Sequence, residues 1–89
     1  MEQPCALCGR ERLLTFHHLI PRTFHSNKWF EKNFTKEDMR NRGIAVCREC
    51  HSAIHRFLSE KELGRHYNTL EKLRAHEALA HFVDWISKR

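Results

Sequence analysis

No run of apolar residues in this chain approaches the roughly 18 needed for a helix to cross a bilayer, so no membrane-spanning helix is expected. The opening Met-Glu-Gln-Pro-Cys lacks both the charged and the apolar regions of a signal peptide, and the expected compartment is the cytoplasm. Internal repeats and low-complexity tracts are missing too. There are only 89 residues, which leaves room for one domain and for a core so modest that a metal, a disulfide or a partner is expected to supplement it. Acidic side chains are the scarcer sign, 11 against 16 Lys+Arg, for a formal net charge of +5. What is present excludes a disordered chain: 40% of the residues are hydrophobic, with six Phe and two Trp.

The basic excess is uneven. Residues 1–57 hold ten basic and six acidic side chains, whereas residues 58–89 hold six and five. That mild bias favours polyanionic partners without identifying one.

Four cysteines stand at positions 5, 8, 47 and 50, two Cys-x2-Cys pairs 38 residues apart. In a reducing compartment such pairs read as one tetrahedral structural zinc site formed by Cys5, Cys8, Cys47 and Cys50. Gly9 directly after the first pair suits the tight knuckle that turns amides toward sulfur. The alternatives are unrelated thiols or two redox pairs. A c-type haem site at Cys47-Arg48-Glu49-Cys50-His51 would leave Cys5 and Cys8 unexplained. Four thiolates close the coordination shell, so chemistry must come from elsewhere in the chain.

Residues 13–20 are strand-prone, with Leu14, Phe16 and His18 on one face and Thr15, His17 and Leu19 on the other. Residues 21–43 read as a long loop with a short helix over 35–41 capped by Thr35. Residues 44–46 form a short strand running into Cys47, and residues 52–58 a helix. Ser59-x-x-Glu62 is a capping box, and Asn68 is expected to open a further helix carrying Leu70 and Leu73. Leu79, Phe82, Val83 and Ile86 then recur at the spacing of an amphipathic helix. The expected class is α+β, one domain over 1–89: a zinc-bound hairpin and helix over 1–58, covered by a helical extension over 59–89.

Eight histidines are distributed unevenly. His17 and His18 are neighbours on a strand and must face opposite ways. His51 and His55 are four apart, hence one turn apart on one helix face. Two pairs beside zinc-bound elements form a candidate site for a second metal and a phosphate. His25, His66, His76 and His81 lack such a setting and read as surface or packing residues.

Taken in order, Cys-x2-Cys, His17-His18-Leu19-Ile20-Pro21-Arg22 and Cys47-x2-Cys50-His51-x3-His55 resemble the HNH endonucleases with a zinc-bound ββα-metal core. The resemblance is to small stand-alone bacterial or phage HNH proteins of the His-His-x-x-Pro-Arg type and covers residues 5–57. It implies a metal-dependent endonuclease that nicks or cuts DNA with weak sequence preference. His18 would then be the general base, and His17, His51 and His55 would hold the catalytic divalent metal. Asn41 is the nearest counterpart of the family's middle Asn, one place early, with Arg42 as the other occupant of that slot. An all-imidazole site favours Mn²⁺, with Ni²⁺ or Co²⁺ also competing, over Mg²⁺. Arg22 and Arg56 flank the histidine pairs as phosphate contacts. Phe24, Trp29, Phe30 and Phe34 are expected to pack the loop rather than stack on bases. Phe82 and Trp85 offer a face for a homodimer. Two other readings stay open: a non-catalytic zinc module that binds nucleic acid or protein, and a nuclease subunit needing partner proteins of a phage or mobile-element complex.

Overall fold

The computed structural model describes residues 2–89. It is a small α+β structure with six α-helices and two two-stranded sheets. None of its helices is long and apolar enough to cross a membrane.

The first sheet frames the cysteine knuckle. Strands β1 (Gln3–Pro4) and β2 (Glu11–Arg12) pair antiparallel around the loop that holds Cys5 and Cys8. Gly9 turns that loop with a φ of +78°, a left-handed conformation in which a side chain would be strained. Its amide bonds the Cys5 carbonyl at 3.0 Å.

The second sheet pairs β3 (Leu14–His18) with β4 (Gly43–Cys47), antiparallel, so that Leu14 lies opposite Cys47, His17 opposite Ile44 and His18 opposite Gly43. The strand is shorter than the apolar run 13–20. Leu19 keeps one further bond to the Arg42 carbonyl, and beyond it Ile20 turns into a second small core. The knuckle docks on β4 through the Ala6 amide, which donates to the Ala45 carbonyl at 3.0 Å.

Between the strands the chain is more helical than its composition suggests. After Pro21 a 3-10 turn covers Arg22–Phe24, followed by α1 (Lys28–Asn33) and α2 (Lys36–Asn41). Helix α1, expected as loop, is capped by the Asn27 side chain, which accepts from the Trp29 amide. Thr35 caps α2 as expected. Phe30, Ile20 and Met39 form the buried core of this insertion, with Phe24 stacked on Phe30 at 5.2 Å and Phe34 packed behind. The aromatics therefore pack the insertion, except that Trp29 keeps part of its surface exposed beneath the Arg65 guanidinium.

Helix α3 (Arg48–Phe57) begins four residues earlier than its apolar pattern indicates. Then come α4 (Glu60–His66), opened by the Ser59/Glu62 capping box, α5 (Leu70–Ala75) and α6 (Glu77–Ser87). The cap of α5 is Thr69, not Asn68: Asn68 is buried and donates to the Gly64 carbonyl. His76 caps α6 by accepting from the Leu79 amide. Leu63, Leu73, Leu79 and Ile86 from these helices join Val46, Ala53, Ile54 and the cysteines in one cluster, so the helical extension shares its core with the cysteine-bearing half.

Candidate functional site

The four cysteines converge as their spacing requires. Their sulfurs all lie within 4.8 Å of one another, and Cys8 and Cys47 are 3.7 Å apart. A tetrahedron with Zn–S bonds of about 2.3 Å has edges of about 3.8 Å. Donor set and spacing both fit zinc. The amides of Leu7 and Cys47 donate to the Cys5 sulfur at 3.4 and 3.3 Å. Cys47 is also the N-cap of α3, so the positive end of that helix meets the sulfur cluster. A helix starting at residue 52 would put this end beside His51; with α3 starting at Arg48 it lies at the sulfurs instead.

Arg10 adds a partner that spacing alone did not reveal. Its guanidinium reaches Cys8 at 3.4 Å and Cys47 at 3.5 Å, and pairs with Glu49 at 2.7 Å. Burial tends to raise the Cys8 thiol, but the Arg10 hydrogen bonds prevail and bring it down to about 7. Burial, followed by the charge of Cys5, pushes Cys50 well above the usual thiol range. Burial also raises Cys47. Four sulfurs held this close cannot all ionise without a cation among them.

A second cluster lies on the other side of the β3–α3 contact. Thr15 and His17 project from the same face of β3, and His51 and His55 meet them from one face of α3. The three rings form a nearly equilateral triangle: centroids are 5.2 Å apart for His17–His51, 5.2 Å for His17–His55 and 5.1 Å for His51–His55. Their candidate donor atoms all lie within 4.8 Å of one another.

His17 is 1% exposed. Its Nε2 is the one buried side-chain N or O among the described residues without a hydrogen-bond partner. Such an atom costs about 1–3 kcal/mol if nothing meets it. Burial, then the charges of His51, His55 and His18, lowers His17 to about 3. The ring is therefore neutral at physiological pH, as a metal ligand must be. Burial and then His55 lower His51 as well.

Thr15 is the hydrogen-bond partner of His51. Its hydroxyl donates to the Val46 carbonyl at 3.2 Å and lies 2.8 Å from His51 Nδ1. A hydroxyl that gives its single hydrogen to Val46 accepts from Nδ1–H, which leaves Nε2 as the free lone pair. This is the outer support expected of a ligating imidazole.

His18 stands on the opposite face of β3. It is half-buried, edge-on to Phe16 at 4.8 Å and 6.1 Å from the His25 ring. Among the described residues neither of its ring nitrogens is hydrogen-bonded. Burial, then the charges of His25 and Arg22, lowers its pKa below the ordinary value. The Phe16 ring lies over Gly43, where an added Cβ would sit 2.1 Å from Phe16 Cζ. Gly43 thus leaves room for the ring that walls one side of His18.

The remaining candidates are scattered. Asn41 is the exposed last residue of α2 and makes no side-chain hydrogen bond among the described residues. Arg42 is occupied by Asp38, at 3.0 Å, and by the Asn68 carbonyl. Arg22 lines a cleft with His25, Ser26, Lys36 and Arg40, while Arg56 lines a different one with Arg48, Glu49 and Phe57. His25, read as surface or packing, is anchored by a 2.9 Å hydrogen bond to the Ile20 carbonyl. At the C-terminal end Trp85 is exposed, although Arg89 stacks over it at 4.2 Å. No family model, curated protein or solved structure matches the chain.

Proposed function

We propose that this chain is a metal-dependent endonuclease of the HNH type, with a zinc-stapled ββα-metal core, that hydrolyses DNA phosphodiester bonds with weak sequence preference. The observation that carries the reading is the triangle of His17, His51 and His55, in which the buried His17 has an orphaned Nε2, with an unengaged neutral His18 on the next residue. Packing alone supplies no reason to gather three imidazoles against one another around a buried His17. The chemistry of this donor set fits a divalent ion such as Mn²⁺, Ni²⁺, Co²⁺ or Mg²⁺. Bound there, the ion would supply charge stabilisation for the phosphorane and the departing 3′ oxygen.

The chain's own residues do the rest. His17 and His18 leave β3 on opposite sides of its end, so a phosphodiester reaching both crosses that end beside Arg22. His18, held neutral, accepts a proton from the attacking water as the new P–O bond forms. The bond to the 3′ oxygen then breaks, leaving a 5′-phosphate and, after protonation, a 3′-hydroxyl. Thr15 keeps His51 in its ligating tautomer. The cysteine cluster fixes the start of α3 and, with it, the histidines one and two turns along.

Conversion of supercoiled plasmid tests the reading, with EDTA, Mg²⁺, Mn²⁺ or Ni²⁺ and with a zinc-loaded His18→Ala protein in parallel. Metal-dependent nicking by wild type alone is expected, faster with Mn²⁺ than with Mg²⁺. A zinc-loaded wild type that binds DNA but never nicks it would replace the nuclease with a binding module or with a subunit that needs a partner.

A further inference from the structure

The insertion between the two strands holds a cleft that neither the cysteine cluster nor the histidine triangle lines. Its volume is about 330 Å³ and its walls are Arg22, His25, Ser26, Lys36 and Arg40. We propose that this cleft is a phosphate subsite that takes the DNA phosphodiester adjacent to the one presented to His18; the nuclease reading above is its premise.

Three observations carry it. The first is charge without compensation. Arg22, Lys36 and Arg40 are exposed, and among the described residues none of them lies within ion-pair distance of a carboxylate. The nearby acid Asp38 is held by Arg42 instead. The cleft around Arg48 and Arg56, by contrast, includes Glu49 in its wall. Like charges gathered around one concavity repel one another until an anion enters.

The second is construction. Lys36 and Arg40 are four residues apart on α2 and so share one side of that helix. Thr35 caps α2 and buried Met39 anchors it. Opposite them, Pro21 and the 3-10 turn place Arg22, and His25 is tied to the Ile20 carbonyl. Both walls therefore stand on the insertion's own core.

The third is position. His25 is at once a wall of the cleft and the neighbour of His18, with ring centroids 6.1 Å apart. A polynucleotide with one phosphate at His18 passes its next phosphate over this wall. Arg offers two parallel donors to a phosphate and Lys a point charge, so the cleft grips the backbone without reading bases.

The test is binding of a fluorescein-labelled 20-base-pair duplex, without added divalent metal, across a salt series. It compares zinc-loaded wild type with Lys36→Gln/Arg40→Gln and with a charge-matched control, Lys28→Gln/Lys32→Gln, on neighbouring α1. Losing two phosphate contacts lowers the slope of log K against log[salt] by about 1.8, which is about 30-fold in affinity at 0.15 M salt. The control is expected to stay near wild type, and thermal unfolding should be unchanged in all three, since every substituted side chain is exposed. Wild-type affinity in the cleft variant, or an equal loss in the control, overturns the proposal. Adding Mn²⁺ to the same samples separates it from its premise: cleft-dependent binding with no cleavage retires the nuclease reading while upholding the phosphate subsite.

Discussion

Replacing His17 with Leu should make the protein more stable and, at the same time, abolish the divalent-metal binding proposed for the histidine triangle. The His17 imidazole is 1% exposed and its Nε2 has no partner. Removing that orphan in favour of an apolar side chain of similar size is expected to gain about 1–2 kcal/mol at pH 7. Titration adds a second signature. In the unfolded chain His17 titrates near the ordinary value of about 6.5, whereas in the fold it is lowered to about 3 by burial first and then by the neighbouring histidines. The unfolded chain therefore takes up the proton first as pH falls. Stability assignable to His17 is intact above about pH 6.5 and is lost on acidification, by roughly 2 kcal/mol between pH 7 and pH 5. Urea unfolding of both proteins at the two pH values, each with one equivalent of zinc, isolates this term, because protonation of the cysteine site is common to both. The variant's advantage should widen by about 2 kcal/mol at pH 5. A second divalent ion should shrink the advantage at pH 7, because only wild type binds it there; at 100 times Kd the shift is about 2.7 kcal/mol. A variant that is less stable at both pH values, or a gap that pH leaves unchanged, would refute the idea that His17 is a buried, neutral, unsatisfied ligand.

The other expectations concern the surroundings of the two clusters. Cys50→Ser, at a fully buried position, should lose zinc and cooperative folding together, because structural zinc contributes on the order of 10 kcal/mol, comparable with the whole stability of a small domain. Far-UV circular dichroism with metal analysis decides it, and a cooperatively folded zinc-free variant would contradict it. Arg10→Gln removes two contacts to sulfur and the Glu49 pair. Zinc affinity in a chelator competition should fall about 10- to 100-fold, and an unchanged affinity would make Arg10 a surface residue only. Gly43→Ala should cost about 1 kcal/mol or less in thermal unfolding, since the Phe16 ring it displaces is half exposed and can swing outward. The same change should shift the titration of His18 followed by NMR. An unmoved His18 titration would show that Phe16 does not wall that ring.

Much of the site is readable before the fold because its logic is local. Cys-x2-Cys spacing and the His51–His55 interval of one helical turn are short-range geometry. Strand alternation separates His17 from His18, but it does not say which of the two lies inside; that depends on where α3 packs. The start of α3 is hidden because Cys47 caps it without a side-chain hydrogen bond, and no Ser, Thr, Asp or Asn marks the spot. Helix α1 is six residues long and buries only Phe30, too little for a periodic signal. Asn68 and Thr69 are both cap-type residues, and only the Asn68 contact with Gly64, a tertiary fact, assigns the role to Thr69. Arg10 and Thr15 support atoms distant in sequence, Cys47 and His51 respectively, and no single-sequence pattern marks such partners.

His17 and His18 are the same amino acid on consecutive residues, yet one is sealed against α3 and the other is open. Nothing in their covalent chemistry distinguishes them; the pairing of Leu14 with Cys47 and of His18 with Gly43 does. Slipping the hairpin by one residue would exchange the two rings, putting the proposed ligand outside and the proposed base inside, with no change of sequence. The hairpin is held against that slip where Cys47 is tied to the sulfur cluster, and the Phe16 ring packed over Gly43 adds a weaker contact at the other end. Zinc bound by the cysteines would therefore act as an alignment pin, assigning two identical side chains their separate duties from the far end of a five-residue strand.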